Sequence, residues 1–205
     1  MKKIDYKKEF HSLYTPSTKS ISIVEVPSMS YVLIDGKGDP NTVKEYGEAV
    51  EALYIVSYTI KFFYKKQKNG IDYTVLPLEG LWWVPNMEQF SSKKKEDWLW
   101  RMMIMQPEFV TAEVFKNAVE IVRQKKNPVA LDKLTFGTYD EGKCAQILHV
   151  GPYSAEGPTI DRLHTFIAKQ GYTRTGKHHE IYLNDPRKSA SEKLKTIIRQ
   201  PVVIK

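Results

Sequence analysis

Three side chains spaced two residues apart, His178, Glu180 and Tyr182, have the types needed for proton chemistry. They lie in Lys177-His178-His179-Glu180-Ile181-Tyr182-Leu183, between Gly176 and the turn-forming Asn184-Asp185-Pro186. A short run bounded by turn residues reads as a strand. Side chains alternate along a strand, so His178, Glu180 and Tyr182 share one face and His179, Ile181 and Leu183 the other. In a central strand Glu180 needs a partner, a proton or a ligand, because an unpaired buried charge is costly. On a solvated face it is an ordinary surface acid. Desolvation would raise its pKa toward the range of a general base. Tyr182 follows about 7 Å along the same face, near enough to hold a water or to donate to a carbonyl that gathers charge.

Aromatic and sulfur-containing residues elsewhere suit a pocket for a flat ligand, which needs stacking faces and few polar groups. The candidates are Trp82, Trp83, Trp98, Tyr153, Met102 and Met105, with His178 beside Glu180. Equally, these are ordinary core residues. Glu79 holds the matching place in the first half of the chain, or belongs simply to the Glu79-Gly80 turn. His178, His179 and His149 invite a metal reading. Adjacent strand histidines point oppositely, however, and nothing at ligand spacing completes a tetrahedral site, so neither metal nor cofactor is expected. The chain lacks a Gly-x-Ser-x-Gly elbow, and Gly36-Lys37-Gly38 lacks phosphate-loop spacing. Cys144, the single cysteine, reads as a small core residue.

The elements that must position these groups follow from pattern. Residues 1–20 are polar and are expected at the surface. Strands are predicted at 21–26, 29–34, 72–78, 81–84, 143–150, 178–183 and 194–203, with a further strand approach at 131–136. Helices are predicted at about 43–66, capped by Asn41 or Thr42, at 93–106, capped by Ser91 or Ser92, at 112–126, capped by Thr111, and at 158–170, stopped by Gly171. The helix at 93–106 would carry Trp98, Met102 and Met105 on one side.

The 205 residues are 41% hydrophobic and 12% aromatic, enough for a core or a lined cavity. No apolar run approaches the roughly 20 residues of a membrane span, and the N-terminus lacks the apolar region of a signal peptide. One cysteine suits a reducing cytoplasm. The formal net charge of +7 comes from scattered lysines and short clusters, with no aromatic-interleaved stripe. It reads as a solvated surface rather than a nucleic-acid patch.

The order strand, glycine turn, helix, strand, strand runs from Tyr31 to Val84 and again from Cys144 to Val203. Two such β-α-β-β units side by side form a pseudo-symmetric α+β domain with a cleft between them. The expected division is one domain, 1–205, with half one at about 21–85, a helical insertion at about 86–130 that covers the cleft, and half two at about 131–205.

Several phrases make the chain resemble the GyrI-like small-molecule-binding family. They are His149 to Ile167, Gly176 to Arg187, Glu48 to Tyr54, Leu78 to Trp83 and Trp98 to Pro107, and the likeness covers roughly residues 20–205. The resemblance implies an SHS2-type tandem repeat around an open pocket, with the family's acidic pocket residue at Glu180. Drug-sensing relatives fuse this module to a helix-turn-helix domain and bind lipophilic cations. About 20 residues precede the first strand here, too few for such a domain, which suggests a stand-alone member. Stand-alone relatives include hydrolases that open the cyclopropane ring of DNA-alkylating cyclopropanoids. The implied function is therefore detoxifying hydrolysis by Glu180 and Tyr182 of a planar, hydrophobic, aromatic small molecule. The alternatives are a non-catalytic multidrug-binding protein, a gyrase or DNA-associated modulator, and, from distant fold analogy, a haem carrier.

Overall fold

The computed structural model describes residues 2–87, 90 and 94–205. Its strands are β1 (Lys2–Ile4), β2 (Ser22–Val26), β3 (Met29–Lys37), β4 (Ile71–Tyr73), β5 (Leu78–Trp83), β6 (Leu99–Gln106), β7 (Thr135–Tyr139), β8 (Gly142–Val150), β9 (Tyr172–Arg174), β10 (His178–Tyr182) and β11 (Lys195–Ile204). Its α-helices are α1 (Tyr6–Glu9), α2 (His11–Tyr14), α3 (Lys44–Lys65), α4 (Ala112–Lys125) and α5 (Gly157–Lys169). The α+β class holds.

Among the described residues, eight strands form one path, β2-β8-β11-β10-β5-β6-β3-β7, with β9 pairing the far end of β11. Its centre is the antiparallel pair β5–β10, where Glu180 faces Gly80 and Tyr182 faces Leu78. On one side run β5-β6-β3 and on the other β10-β11-β8, each with its helix, α3 or α5. This is the tandem β-α-β-β arrangement. The outer strands are exchanged: β2 pairs β8 of the second half, and β7 pairs β3 of the first.

Both faces of the sheet are covered. On the front, α3 buries Ala49, Ala52, Leu53, Val56 and Ile60 at helical spacing against Val32, Ile34, Ile104 and Leu78. α5 buries Leu163 and Ile167 against Ile147 and Ile198. On the back, Tyr6, Leu13 and Tyr14 pack against Leu81, Met103, Met105, Ile181 and Ile197. The N-terminal segment thus belongs to the core, contrary to its surface reading. Its apolar residues are few but large, and β1 ties it parallel to β4.

The helix expected over 93–106 is the strand β6, paired to β3 and β5. With both faces covered, Trp100, Met102 and Ile104 on one side and Met103 and Met105 on the other are all buried. A run buried on both faces loses the alternation that marks a strand and reads like a buried helix. Residues 91–93, including the expected caps Ser91 and Ser92, lie outside the described residues. The helical part between the halves is α4, whose cap Thr111 accepts from the Val114 amide at 3.3 Å. Helix α3 starts at Lys44 after Val43, without the side-chain cap expected of Asn41 or Thr42.

Candidate functional site

The two helices sit over the outer strands of their halves, which leaves the central pair β5–β10 as the floor of a cleft of about 1810 Å³. His178, Glu180 and Tyr182 project into it from β10, and Trp82 from β5. Gly80 lies directly opposite Glu180. A Cβ there would meet the Trp82 indole nitrogen at 2.9 Å and Met102 Sδ at 3.2 Å. The bare glycine lets the indole lie close to the floor, where its Nε1 donates to the Tyr182 hydroxyl at 3.2 Å.

From there the polar contacts run to Glu180. The Tyr182 hydroxyl donates to Glu180 Oε2 at 2.7 Å, and His178 Nε2 stands 3.1 Å from Oε1. The Glu180 side chain is 13% exposed. Burial pushes its pKa up, but His178, then Tyr182 and the charge of Lys95, outweigh that and hold it below the usual carboxylate value. This corrects the expectation of a raised pKa. Burial, then the charge of Glu180, keep the Tyr182 hydroxyl protonated well past its ordinary range.

The carboxyl that is raised belongs to Glu156, at the start of α5. Burial pushes it well above the carboxylate range, and the charge of Glu180 pushes in the same direction. The side chain is buried, with the buried Thr196 hydroxyl on the adjoining strand and the Glu180 carboxylate as its side-chain partners. Two neighbouring carboxyls that cannot both ionise share one proton. Here it rests on Glu156 while Glu180 keeps its charge. Their titration belongs to the pair.

Aromatic rings wall the pair. Tyr46 stacks on Trp82 (6.1 Å, 29°), Trp98 tilts against Trp82 (5.4 Å), Phe90 stacks on Trp98 (4.9 Å, 24°), and Tyr153 meets Tyr182 edge-on at 5.6 Å. All six rings line the cleft.

Of the residues singled out from sequence, the cleft brings together Glu180, Tyr182, His178, Trp82, Trp98 and Tyr153. It does not include Met102, which is fully buried in the core cluster beneath α3. Trp83, Met105 and Glu79 face the back of the sheet. Trp83 carries the Lys177 ammonium 3.5 Å from its ring centroid, and Met105 packs in the rear core. The alternation that separates His178 from His179 also separates Trp82 from Trp83. Glu79 accepts from the Tyr14 and Tyr31 hydroxyls and stands 3.1 Å from His179 Nε2.

Sequence reasoning missed Glu156, Tyr46, Phe90 and Lys95. Glu156 opens a helix 24 residues before Glu180, and only the packing of α5 against β8, β9 and β11 brings the carboxyls together. A glutamate at an apolar helix start, in a half that also carries a strand glutamate, was the one available signal.

The model of the GyrI-like small-molecule-binding domain matches residues 19–203. The chain belongs to the GyrI-like family. An uncharacterised conserved protein from Listeria innocua is 42% identical, with a TM-score of 0.90 over 98% of this chain and 100% of that one. A hydrolase from the same organism is 41% identical, with a TM-score of 0.88 and the same coverage. The C-terminal domain of EcmrR shares the GyrI-like fold at 13% identity, with a TM-score of 0.58 over 91% of this chain and 98% of that domain. No curated protein sequence matches. Among the described residues, no helix is long and apolar enough to cross a membrane.

Proposed function

We propose that the cleft binds planar aromatic small molecules and hydrolyses a strained, electrophilic cyclopropane ring carried on them, a reaction that disarms a DNA-alkylating compound. The observation that carries this reading is the carboxyl pair, one member protonated and one ionised, inside an aromatic wall. The likeness to a hydrolase at 41% identity over nearly the whole chain supports it.

The chemistry follows from the residues. Trp82, Trp98 and the neighbouring rings hold a flat conjugated ligand and exclude water from its faces. Glu180 accepts a proton from one water as the water oxygen bonds to the ring methylene. The strained carbon–carbon bond breaks, and its electron pair passes through the conjugated system to a carbonyl oxygen. Glu156, the protonated partner, supplies a proton to that oxygen. One water has been added, and the pair still holds one proton, now on Glu180, which returns to Glu156 before the next turnover. Ring strain drives the opening, so orientation and proton placement are the tasks left to the protein. The Tyr182 hydroxyl is committed to Glu180, so Tyr182 serves as a positioning residue that aims the carboxylate. His178 holds the other carboxylate oxygen.

The test is to incubate a cyclopropane-bearing alkylator with the protein and follow the mass of one added water against buffer alone. The same titration is read by tryptophan fluorescence, since Trp82 and Trp98 line the site. Conversion well above the buffer rate is expected. Quenching with conversion at the buffer rate would reduce the cleft to a binding site without catalysis.

A further inference from the structure

A carboxylate inside an aromatic wall is the usual recipe for holding an organic cation, because both the charge and the ring faces attract it. This cleft differs in one respect. The chain already places a cation there. Lys95, in the short 3-10 turn of residues 95–97 before β6, lines the cleft with Trp98, Phe90, His178, Glu156 and Glu180. Its ammonium nitrogen stands 5.4 Å from the centroid of the Trp98 ring. Its charge acts on both carboxyls of the pair, lowering the pKa of each.

The charge balance around the pair follows. Glu156 carries the shared proton and is neutral, so the pair contributes a single negative charge, and Lys95 offsets it. Of the other charged residues on the lining, Lys7, Lys126 and Lys188 stand with Glu51 and Asp161, and Arg174 on β9 donates from Nη1 to His164 at 2.9 Å. Arg187, also on the lining, is engaged with Asp185 at 2.9 Å and cancels against it. An incoming cation would have to compete with Lys95 for the Trp98 face and for the field of Glu180.

We propose that Lys95 is the charge selector of the cleft, a built-in cation on the aromatic wall that directs the site to neutral and anionic planar ligands and disfavours organic cations. This deepens the proposed hydrolase reading and rests on it. A neutral electrophile whose carbonyl gains negative charge on ring opening is the substrate type that a resident ammonium favours, because the ammonium stabilises the charge that develops. A permanently cationic ligand would gain nothing from that field and would meet repulsion in a site of low dielectric.

The experiment compares three flat tricyclic probes of nearly equal size in mildly alkaline buffer: N-methylacridinium (cationic), acridine (neutral) and anthracene-9-carboxylate (anionic). Binding is read by tryptophan quenching and by calorimetry, so it needs no turnover. Wild-type protein should bind the neutral and anionic probes more tightly than the cation. Lys95→Met should tighten the cation by about tenfold, weaken the anion by about tenfold and leave acridine within about twofold, from the strength of one ammonium–ring and ammonium–carboxylate contact. Lys95→Arg, which keeps the charge, should keep the wild-type order. A wild-type preference for the cation, or an order unchanged in Lys95→Met, overturns the selector role while leaving the hydrolase reading to its own assay. Failure of all three probes to bind overturns the cleft reading and the selector together.

Discussion

Replacing Glu180 with glutamine is expected to lower ring-opening turnover by about 10²–10⁴-fold, the usual worth of a positioned general base, while the protein stays folded and still binds neutral planar ligands. The amide has the same shape and keeps an oxygen for the Tyr182 hydroxyl, which donates at 2.7 Å in the native protein. It cannot take a proton from water. It also removes the charge that helps to keep the proton on Glu156, so the donor holds its proton less firmly and is less fully protonated. Single-turnover mass measurements separate this from a binding defect. A loss confined to KM would mean that Glu180 only holds the ligand, and an undiminished rate would remove it from the chemistry.

The second large effect is on stability and comes from the back of the sheet. His179 is fully buried between two glutamates, with Nδ1 2.8 Å from Glu141 and Nε2 3.1 Å from Glu79. Arg199, opposite it on β11, donates to Glu141 at 3.2 Å, to Gln146 at 3.0 Å and to the Leu13 carbonyl at 2.9 Å. The Gln146 side chain reaches the Ser12 carbonyl at 2.7 Å, so the network also fastens the N-terminal segment. Burial alone would lower the His179 pKa, but Glu141 and Glu79 overcome it and push the group up to about 9. Glu141 is pushed up by burial and pulled further down by His179 and Arg199, so it lies below its ordinary value.

Removing one partner of a buried ionic group strands the others, at a cost of about 3–5 kcal/mol. His179→Leu is expected to destabilise the fold by that amount in urea unfolding. A loss under about 1 kcal/mol would show the network to be dispensable, as a surface pair is. The pH dependence has a definite sign. The folded pKa of His179 lies above its unfolded value of 6.5, so its contribution is full below that value and is lost as pH rises through about 9. The folded pKa of Glu141 lies below 4.5, so its contribution is full above that value and is lost as pH falls. Wild-type protein should therefore weaken toward alkaline pH; His179→Leu should lose the His179 part of that limb, while Glu156, whose folded pKa is raised to about 9, keeps its own loss with rising pH in both proteins. The network sits at the residue between His178 and Glu180, so it also fixes the strand from which both catalytic-side groups project.

Much of this arrangement was legible in the sequence where a period could be read. The alternation of 178–183 put Glu180 and Tyr182 on one face, and turn residues bounded the strand. The repeated order of elements gave the two halves and the cleft. The same rule was available for Trp82 and Trp83, but the Leu78–Trp83 run is buried on both faces, so its two sides look alike in composition. β6 failed for the same reason. Met102 and Met105 are spaced for one side of a helix, and in a strand that spacing sends them to opposite faces. Glu156 and Lys95 meet Glu180 only through tertiary folding; the helix start marks Glu156 faintly and no local pattern marks Lys95. The expected pKa of Glu180 had the wrong sign because desolvation was weighed without the partners that the fold supplies.

The central claim is that one proton is shared between Glu156 and Glu180, and the pH–rate profile of ring opening tests it most directly. Wild-type kcat/KM should be bell-shaped. It should fall in acid as Glu180 gains a proton below the ordinary carboxylate value, and fall in alkali as Glu156, held above that range, loses its own. Glu156→Gln, which cannot lose a proton, should be slower and should lack the alkaline limb. A wild-type profile that stays flat through both ranges, or an alkaline limb that persists in Glu156→Gln, would contradict the account.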